Sequence, residues 1–246
     1  MAVDKPKALI AWSSGKDSAW ALHQVRQAGT FEVVGALTTI TDTFSRVSMH
    51  GVREQLLSAQ LAAAGLAPVP VRIPYPCPNE VYEAAMMQAL TAAKATGVTH
   101  VIFGDLFLRD IRIYREDRLR PIDIQPIFPL WDLPTDALAR DMIAGSLGAI
   151  LVCVDLKALP ATFAGRRFDA KLLAELPPAT DPCGENGEFH TFVTAGPMLS
   201  GSVDVQVVGV TERDGFAFAD LLPKPPVCEL AGAGAPRGVA VGFATH

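Results

Sequence analysis

The chain has no Cys-x-x-Cys pair: its 4 cysteines, Cys77, Cys153, Cys183 and Cys228, stand far apart. That spacing indicates neither a zinc knuckle nor a disulfide framework and leaves reduced thiols as the expected state. No apolar run approaches the roughly 18 residues that span a bilayer. The opening Met1-Ala2-Val3-Asp4-Lys5-Pro6 carries no signal-peptide core. A cytoplasmic protein without a membrane partner is expected. Positive charge is not in excess either: the net charge is -5 and the pI is about 5.5. This argues against an extensive nucleic-acid surface and for a small soluble substrate, while a local basic groove stays open. Internal repeats are missing. The one biased stretch, Ala231-Gly232-Ala233-Gly234-Ala235, reads as a joint before a last strand at Val239 to Phe243.

With 246 residues, of which 50% are hydrophobic, the chain can bury a sizeable core. Two domains are expected. The stretch that organises the first is Lys7-Ala8-Leu9-Ile10-Ala11-Trp12-Ser13-Ser14-Gly15-Lys16-Asp17-Ser18-Ala19-Trp20, an apolar run that breaks into a small polar loop and resumes as helix. Strand, loop and helix in that order place unpaired N–H groups and the positive end of a helix dipole at one point. Lys16 adds a full charge, and the hydroxyls of Ser13, Ser14 and Ser18 add donors, so the loop suits a polyphosphate. No glycine stands at the spacing that the Gly-x-x-x-x-Gly-Lys-Ser/Thr loop requires before Lys16. The alternative is an ordinary strand-to-helix turn with Ser18 as cap.

Further strands are expected at Phe31 to Thr39, Val69 to Ile73 and Val98 to Phe103, with helices at Ala19 to Gln27, Gly51 to Gly65 and Glu80 to Thr96, the last capped by Asn79. Such alternation implies a parallel sheet with helices on both faces. Leu37 and Thr38 leave their strand at its carboxyl end, and so do Gly104 and Asp105, where an open α/β sheet binds its ligand. His50 stands at a helix mouth, as a cap or packing residue or else as a catalyst. The arginines at 109, 112, 115, 118 and 120 either pair with Asp110, Glu116 and Asp117 or hold a phosphate or carboxylate. Pro121 to Trp131 reads as a domain crossing. Beyond it come a helix capped by Thr135, a strand at Ala149 to Asp155, a short helix capped by Asp169, and two strands around an Asp214-Gly215 turn. The expected fold is therefore α/β: a Rossmann-like parallel-sheet nucleotide domain over residues 1–131, then a smaller α+β domain over 132–246.

A second cluster, Asp181-Pro182-Cys183-Gly184-Glu185-Asn186-Gly187-Glu188-Phe189-His190-Thr191, holds two glycines and a histidine among carboxylates. Asn186-Gly187 is a hairpin signal whose flanking glutamates can simply face water. Two carboxylates on one turn can equally hold Mg²⁺ or an ammonium.

The loop at residues 13 to 18 resembles the Ser-Gly-Gly-Lys-Asp-Ser pyrophosphatase loop of the adenylating enzymes related to GMP synthetase, asparagine synthetase and the thiouridine synthetases. Ser14 stands where that pattern has glycine. The second cluster is similar to the Gly-Glu-x-Gly-Glu-Phe/Tyr-His/Glu-Thr signature of the diphthine–ammonia ligase family, which follows a nucleotide domain of this kind with an α+β domain. The resemblance implies ATP and Mg²⁺ as cofactors and a ligase that adenylates a carboxylate and lets ammonia displace AMP. It puts the nucleotide on Ser13, Ser14, Gly15, Lys16, Asp17, Ser18, Leu37, Thr38, Gly104 and Asp105. It gives Lys16, Asp17, Glu185 and Glu188 to catalysis, with Asp17 also as a metal ligand. The acceptor is a small-molecule or protein carboxylate, and a homodimer is the assembly to test. The run Leu108-Arg109-Asp110-Ile111-Arg112-Ile113-Tyr114-Arg115 departs from the family's Tyr-Gln-Arg pattern, which leaves the acceptor open. Two other functions stay open as well: a sensor that binds ATP or AMP without chemistry, and a tRNA sulfur transferase.

Overall fold

The computed structural model describes residues 4–224 apart from Met49. The expected joint at Ala231 to Ala235, the strand at Val239 to Phe243 and Cys228 lie outside the described residues. Two sheets are built in succession. The first uses β1 (Lys7–Ala11), α1 (Lys16–Ala28), β2 (Glu32–Thr41), β3 (Arg46–Val47), α2 (Glu54–Ala64), β4 (Ala67–Ile73), α3 (Asn79–Ala95), β5 (Val98–Ile102), α4 (Arg109–Leu119) and β6 (Gln125–Ile127). Its parallel strands run β4-β2-β1-β5-β6, and β3 pairs antiparallel with the far end of β2. Strand order reverses between β1 and β5, so a crevice opens outside their carboxyl ends.

Both faces of this sheet are covered because both sets of alternating side chains are apolar. Ala8, Ile10, Ala36 and Ile40 pack with α1 and α2, while Leu9, Leu37, Val71 and Val101 pack with Leu90 of α3 and Leu119 of α4. Pro121 to Trp131, expected as a domain crossing, contains the fifth parallel strand, Gln125 to Ile127, too short and too proline-rich to announce itself by periodicity. Pro78 and Pro134, rather than Asn79 and Thr135, occupy the cap positions of α3 and α5 (Thr135–Ala144), and neither helix has a side-chain cap.

The second sheet contains β7 (Gly148–Asp155), β8 (Phe189–Ala195), β9 (Val205–Arg213) and β10 (Phe216–Pro223), all antiparallel in the order β8-β7-β10-β9, with α6 (Ala170–Glu175) capped by Asp169 as expected. Asp214 and Gly215 turn β9 into β10 with φ of 53° and 84°, as the Asp-Gly pair requires. One apolar cluster runs from the α1 face of the first sheet through Trp20, Leu138 and Met142 to Leu151, Phe192 and Ala217 of the second. Edge strand β8 is thereby held against the loop that follows β1. Among the described residues no helix is long and apolar enough to cross a membrane.

Candidate functional site

Residues 12–18 lie at the carboxyl end of β1, where Trp12 N–H still pairs with the Leu37 carbonyl at 2.8 Å before the chain turns into α1. Ser14 takes the turn with φ of 71°, a left-handed conformation that costs an L-residue about 1–2 kcal/mol and explains glycine at this place in the resembled loop. Its hydroxyl is buried and has no hydrogen-bond partner among the described residues. Ser18 Oγ donates to the Gly15 carbonyl at 3.0 Å and lies 3.3 Å from Ser13 Oγ. Gly15, not Ser18, occupies the helix cap position.

Lys16 is 2% exposed, an uncommon place for an ammonium. Its Nζ donates to both oxygens of Asp17, at 2.9 and 2.8 Å, and to the Cys183 carbonyl, and it sits 5.4 Å from the Phe189 ring centroid and 5.7 Å from that of Phe168. Burial pulls the lysine pKa down, but the groups around it, Asp17 first and then Cys183 and Glu185, together outweigh burial and hold the pKa above its ordinary value.

Strand β8 and the turns before it close over this loop. Val193 N–H donates to the Ser14 carbonyl at 3.0 Å, and Lys16 N–H donates to Thr191 Oγ1 at 3.0 Å. Gln60 of α2, fully buried, donates from Nε2 to the carbonyls of both Ser14 and Val193, at 3.0 and 2.7 Å, and accepts from Trp12 Nε1 at 2.8 Å. His50 Nδ1 is 3.1 Å from the Thr191 carbonyl, and its ring lies 4.7 Å from that of His190. Burial pushes the two imidazoles down to about 3 and about 4, so both are neutral at pH 7. His50 is thus neither a cap nor alone. Gln60 carried no sequence signal, because its partners are 46, 48 and 133 residues away.

The Asn186-Gly187 segment is a run of turns leading into β8, not a hairpin, and its two glutamates do not face water. Glu188 is 7% exposed, and its Oε1 accepts from Asp181 N–H and Asn186 Nδ2, both at 3.0 Å, so this carboxylate holds the turn together. Glu185 reaches out instead. Its N–H is fixed by Asp181 Oδ2 at 2.8 Å, and its Oε1 accepts from Leu106 N–H at 2.7 Å and Phe107 N–H at 3.4 Å, beyond the end of β5. Burial raises its pKa to about 7, with the Asp17 and Asp105 charges adding to the effect.

Gly104 lets these parts meet: a Cβ there would lie 2.7 Å from the Asp17 carbonyl carbon and 2.8 Å from Ser18 N. Asp105 is gripped by Arg115, whose Nε and Nη2 reach its oxygens at 2.5 and 3.0 Å. Arg112 pairs with Glu116, Arg118 with Glu83 and Arg120 with Asp117, and Arg109 has no hydrogen bond or ion pair among the described residues. Thr38 lines a cavity of about 250 Å³ between β2, β4 and α2, together with Ile40, Leu57, Ser58, Val69 and Arg72. Thr38 is 2% exposed and its hydroxyl has no partner among the described residues. Among the described residues no three His, Cys, Asp or Glu side chains converge as a metal cage.

The family model for the diphthamide synthase C-terminal domain matches residues 134–217, the part that contributes α5, the turn and strands β7 to β9 of the second sheet. Curated diphthine–ammonia ligases of Rattus norvegicus, Homo sapiens and Bos taurus are 26%, 29% and 28% identical over 117, 113 and 113 residues. Each match covers 44% of this chain and spans 42% of the relative's own length.

Proposed function

From a chain that is diphthine–ammonia ligase-like, we propose an ATP-dependent ligase that joins ammonia to an acceptor carboxylate through an acyl-adenylate. The observation that carries this is the meeting of the two motifs: the turn at 181–188 and β8 lie on the loop at 12–18, with Lys16 bonded to the Cys183 carbonyl and to Thr191.

In this reading the triphosphate lies on Ser13 to Ser18, with its charge met by loop amides, the hydroxyls of Ser14 and Ser18 and the Lys16 ammonium. The base takes the cavity beside Thr38, where Ile40, Leu57 and Val69 offer apolar contact and the Thr38 hydroxyl, Ser58, Glu54 and Arg72 offer polar groups to a heteroaromatic ring with polar edges. Asp17 is the carboxylate nearest the phosphates. A single carboxylate suits Mg²⁺ that is shared with the nucleotide, since Mg²⁺ is usually held by one or two carboxylates plus substrate phosphates. That ion supplies charge neutralisation at the phosphates. The acceptor carboxylate attacks the α-phosphorus, the bond from that phosphorus to the α,β-bridging oxygen breaks, and pyrophosphate leaves with that oxygen in the cradle of Lys16 and the loop amides, which stabilise its developing charge. Ammonia then attacks the acyl carbon and AMP departs. Asp105, held by Arg115, and the unpaired Arg109 border the side from which an acceptor enters.

The test is product analysis with Mg²⁺-ATP, ammonium and a panel of carboxylate acceptors that includes diphthine. AMP and pyrophosphate in equal amounts, formed only with acceptor present, support the proposal. ADP and phosphate as the stoichiometric products overturn it.

A further inference from the structure

We propose that the backbone amides of Leu106 and Phe107 are a phosphate subsite of the nucleotide site, and that the Glu185 carboxylate fills it as an internal plug until nucleotide arrives. This rests on the nucleotide reading above. Two amides on one carboxylate oxygen, at 2.7 and 3.4 Å, form an anion cradle, and Gly104 brings that cradle into backbone contact with Asp17 and Ser18 of the nucleotide loop. On the loop side, Lys16 Nζ is capped by the Cys183 carbonyl from the same turn, and Ser14 Oγ is buried with no partner among the described residues. The turn at 181–188 therefore occupies, with one carboxylate and one carbonyl, the donors that face the crevice.

The plug is poorly bound for a charged group. Lys16 is the cation near Glu185, and its ammonium is already shared with both oxygens of Asp17. Asp17 on α1, Asp105 after β5 and Asp181 within the turn are all carboxylates around it. Burial first, and the Asp17 and Asp105 charges after it, raise its pKa to about 7. A nucleotide phosphate brings further negative charge to the same place, so the ionised plug repels it while the neutral acid yields the amides. Glu185 thus makes nucleotide binding proton-linked: the form competent to bind is the protonated one.

The size of the effect follows from the competent fraction, since apparent affinity falls by that fraction. With a pKa of about 7 the ionised plug weakens Mg²⁺-ATP roughly tenfold at pH 8 and hardly at all at pH 6. Glu185→Gln keeps the volume and removes the charge. Calorimetric titration with Mg²⁺-ATP should show the variant binding about tenfold more tightly than wild type at pH 8, and the two within about twofold at pH 6. Adenosine, which has no phosphate, should bind both proteins equally at both pH values. Wild type titrated at pH 8 in two buffers of different ionisation enthalpy should take up close to one proton per ATP, a measurement that needs no variant. Equal or weaker Mg²⁺-ATP binding by Glu185→Gln at pH 8, a gap of the same size for adenosine, or no proton uptake by wild type overturns the plug. If neither protein binds Mg²⁺-ATP at either pH while both bind adenosine or neither ligand, the nucleotide reading itself falls, which is a different result.

Discussion

Lys16 and Thr191, 175 residues apart, are joined by a 3.0 Å hydrogen bond from the lysine backbone N–H to the threonine hydroxyl. The first N–H of α1 is thus satisfied by a strand of the other sheet, and the loop's shape depends on both halves of the chain. Thr191→Val removes this acceptor at a position only 2% exposed. A buried donor left unsatisfied costs about 1–3 kcal/mol, whereas Thr191→Ser keeps the oxygen and should cost less. Urea denaturation of the two variants checks this, and equal stability of both with wild type is the contrary outcome.

Lys16→Ala should separate phosphate from base. Hydrogen bonds to charged groups contribute about 1.5–3 kcal/mol, so Mg²⁺-ATP affinity should fall by one to two orders of magnitude while adenosine affinity holds. Equal loss for both ligands would place the triphosphate elsewhere.

Gly104→Ala introduces a methyl 2.7 Å from the Asp17 carbonyl carbon and 2.8 Å from Ser18 N, both of them backbone atoms that cannot rotate away. Overpacking of this kind typically costs about 1–3 kcal/mol. Because the strain falls on the first turn of α1, the loss in ATP binding should exceed the loss at Gly201→Ala, where a Cβ meets nothing within 4 Å and the backbone is not left-handed. Thermal unfolding and ATP titration of both variants give the comparison, and similar ATP affinities would show that the contact does not shape the loop.

The thiols separate ligation from sulfur transfer. Burial pushes Cys153 and Cys183 up to about 12, so at pH 8 only about one molecule in ten thousand carries the thiolate at either site. Cys77 is partly exposed. Iodoacetamide at pH 8 followed by peptide mapping should modify Cys77 and leave Cys153 and Cys183 intact. Rapid modification of Cys183, whose carbonyl touches Lys16, would instead revive the sulfur-transfer function.

What the sequence made legible was local. The run from Lys7 to Trp20 states strand, loop and helix within one stretch, and the Asp214-Gly215 turn demands left-handed residues that the chain supplies. Parallel strands buried on both faces announce themselves by continuous apolar runs. What stayed hidden depended on distance along the chain. Glu185 and Glu188 look alike three residues apart, yet one meets amides at 106 and 107 while the other folds back on Asp181. No periodicity distinguishes them, because the difference lies in the partner. Gln60 is an unremarked polar residue in a helical pattern until Ser14 and Val193 arrive on either side of it. Met49 apart, the polar stretch from Thr41 to His50 conceals the two residues of β3, too few for alternation to register.

The clamp of Gln60 on Ser14 and Val193 has a consequence for anyone who would divide the chain. An expressed fragment ending near Trp131 keeps every residue of the loop at 13 to 18 and loses Thr191, Val193 and the Cys183 carbonyl, the groups that close around it. Such a piece carries the loop as text without its mould. Grafting the first half onto a different second half would therefore transplant the loop's residues but not their shape, unless the incoming partner brought a strand to lie where β8 does.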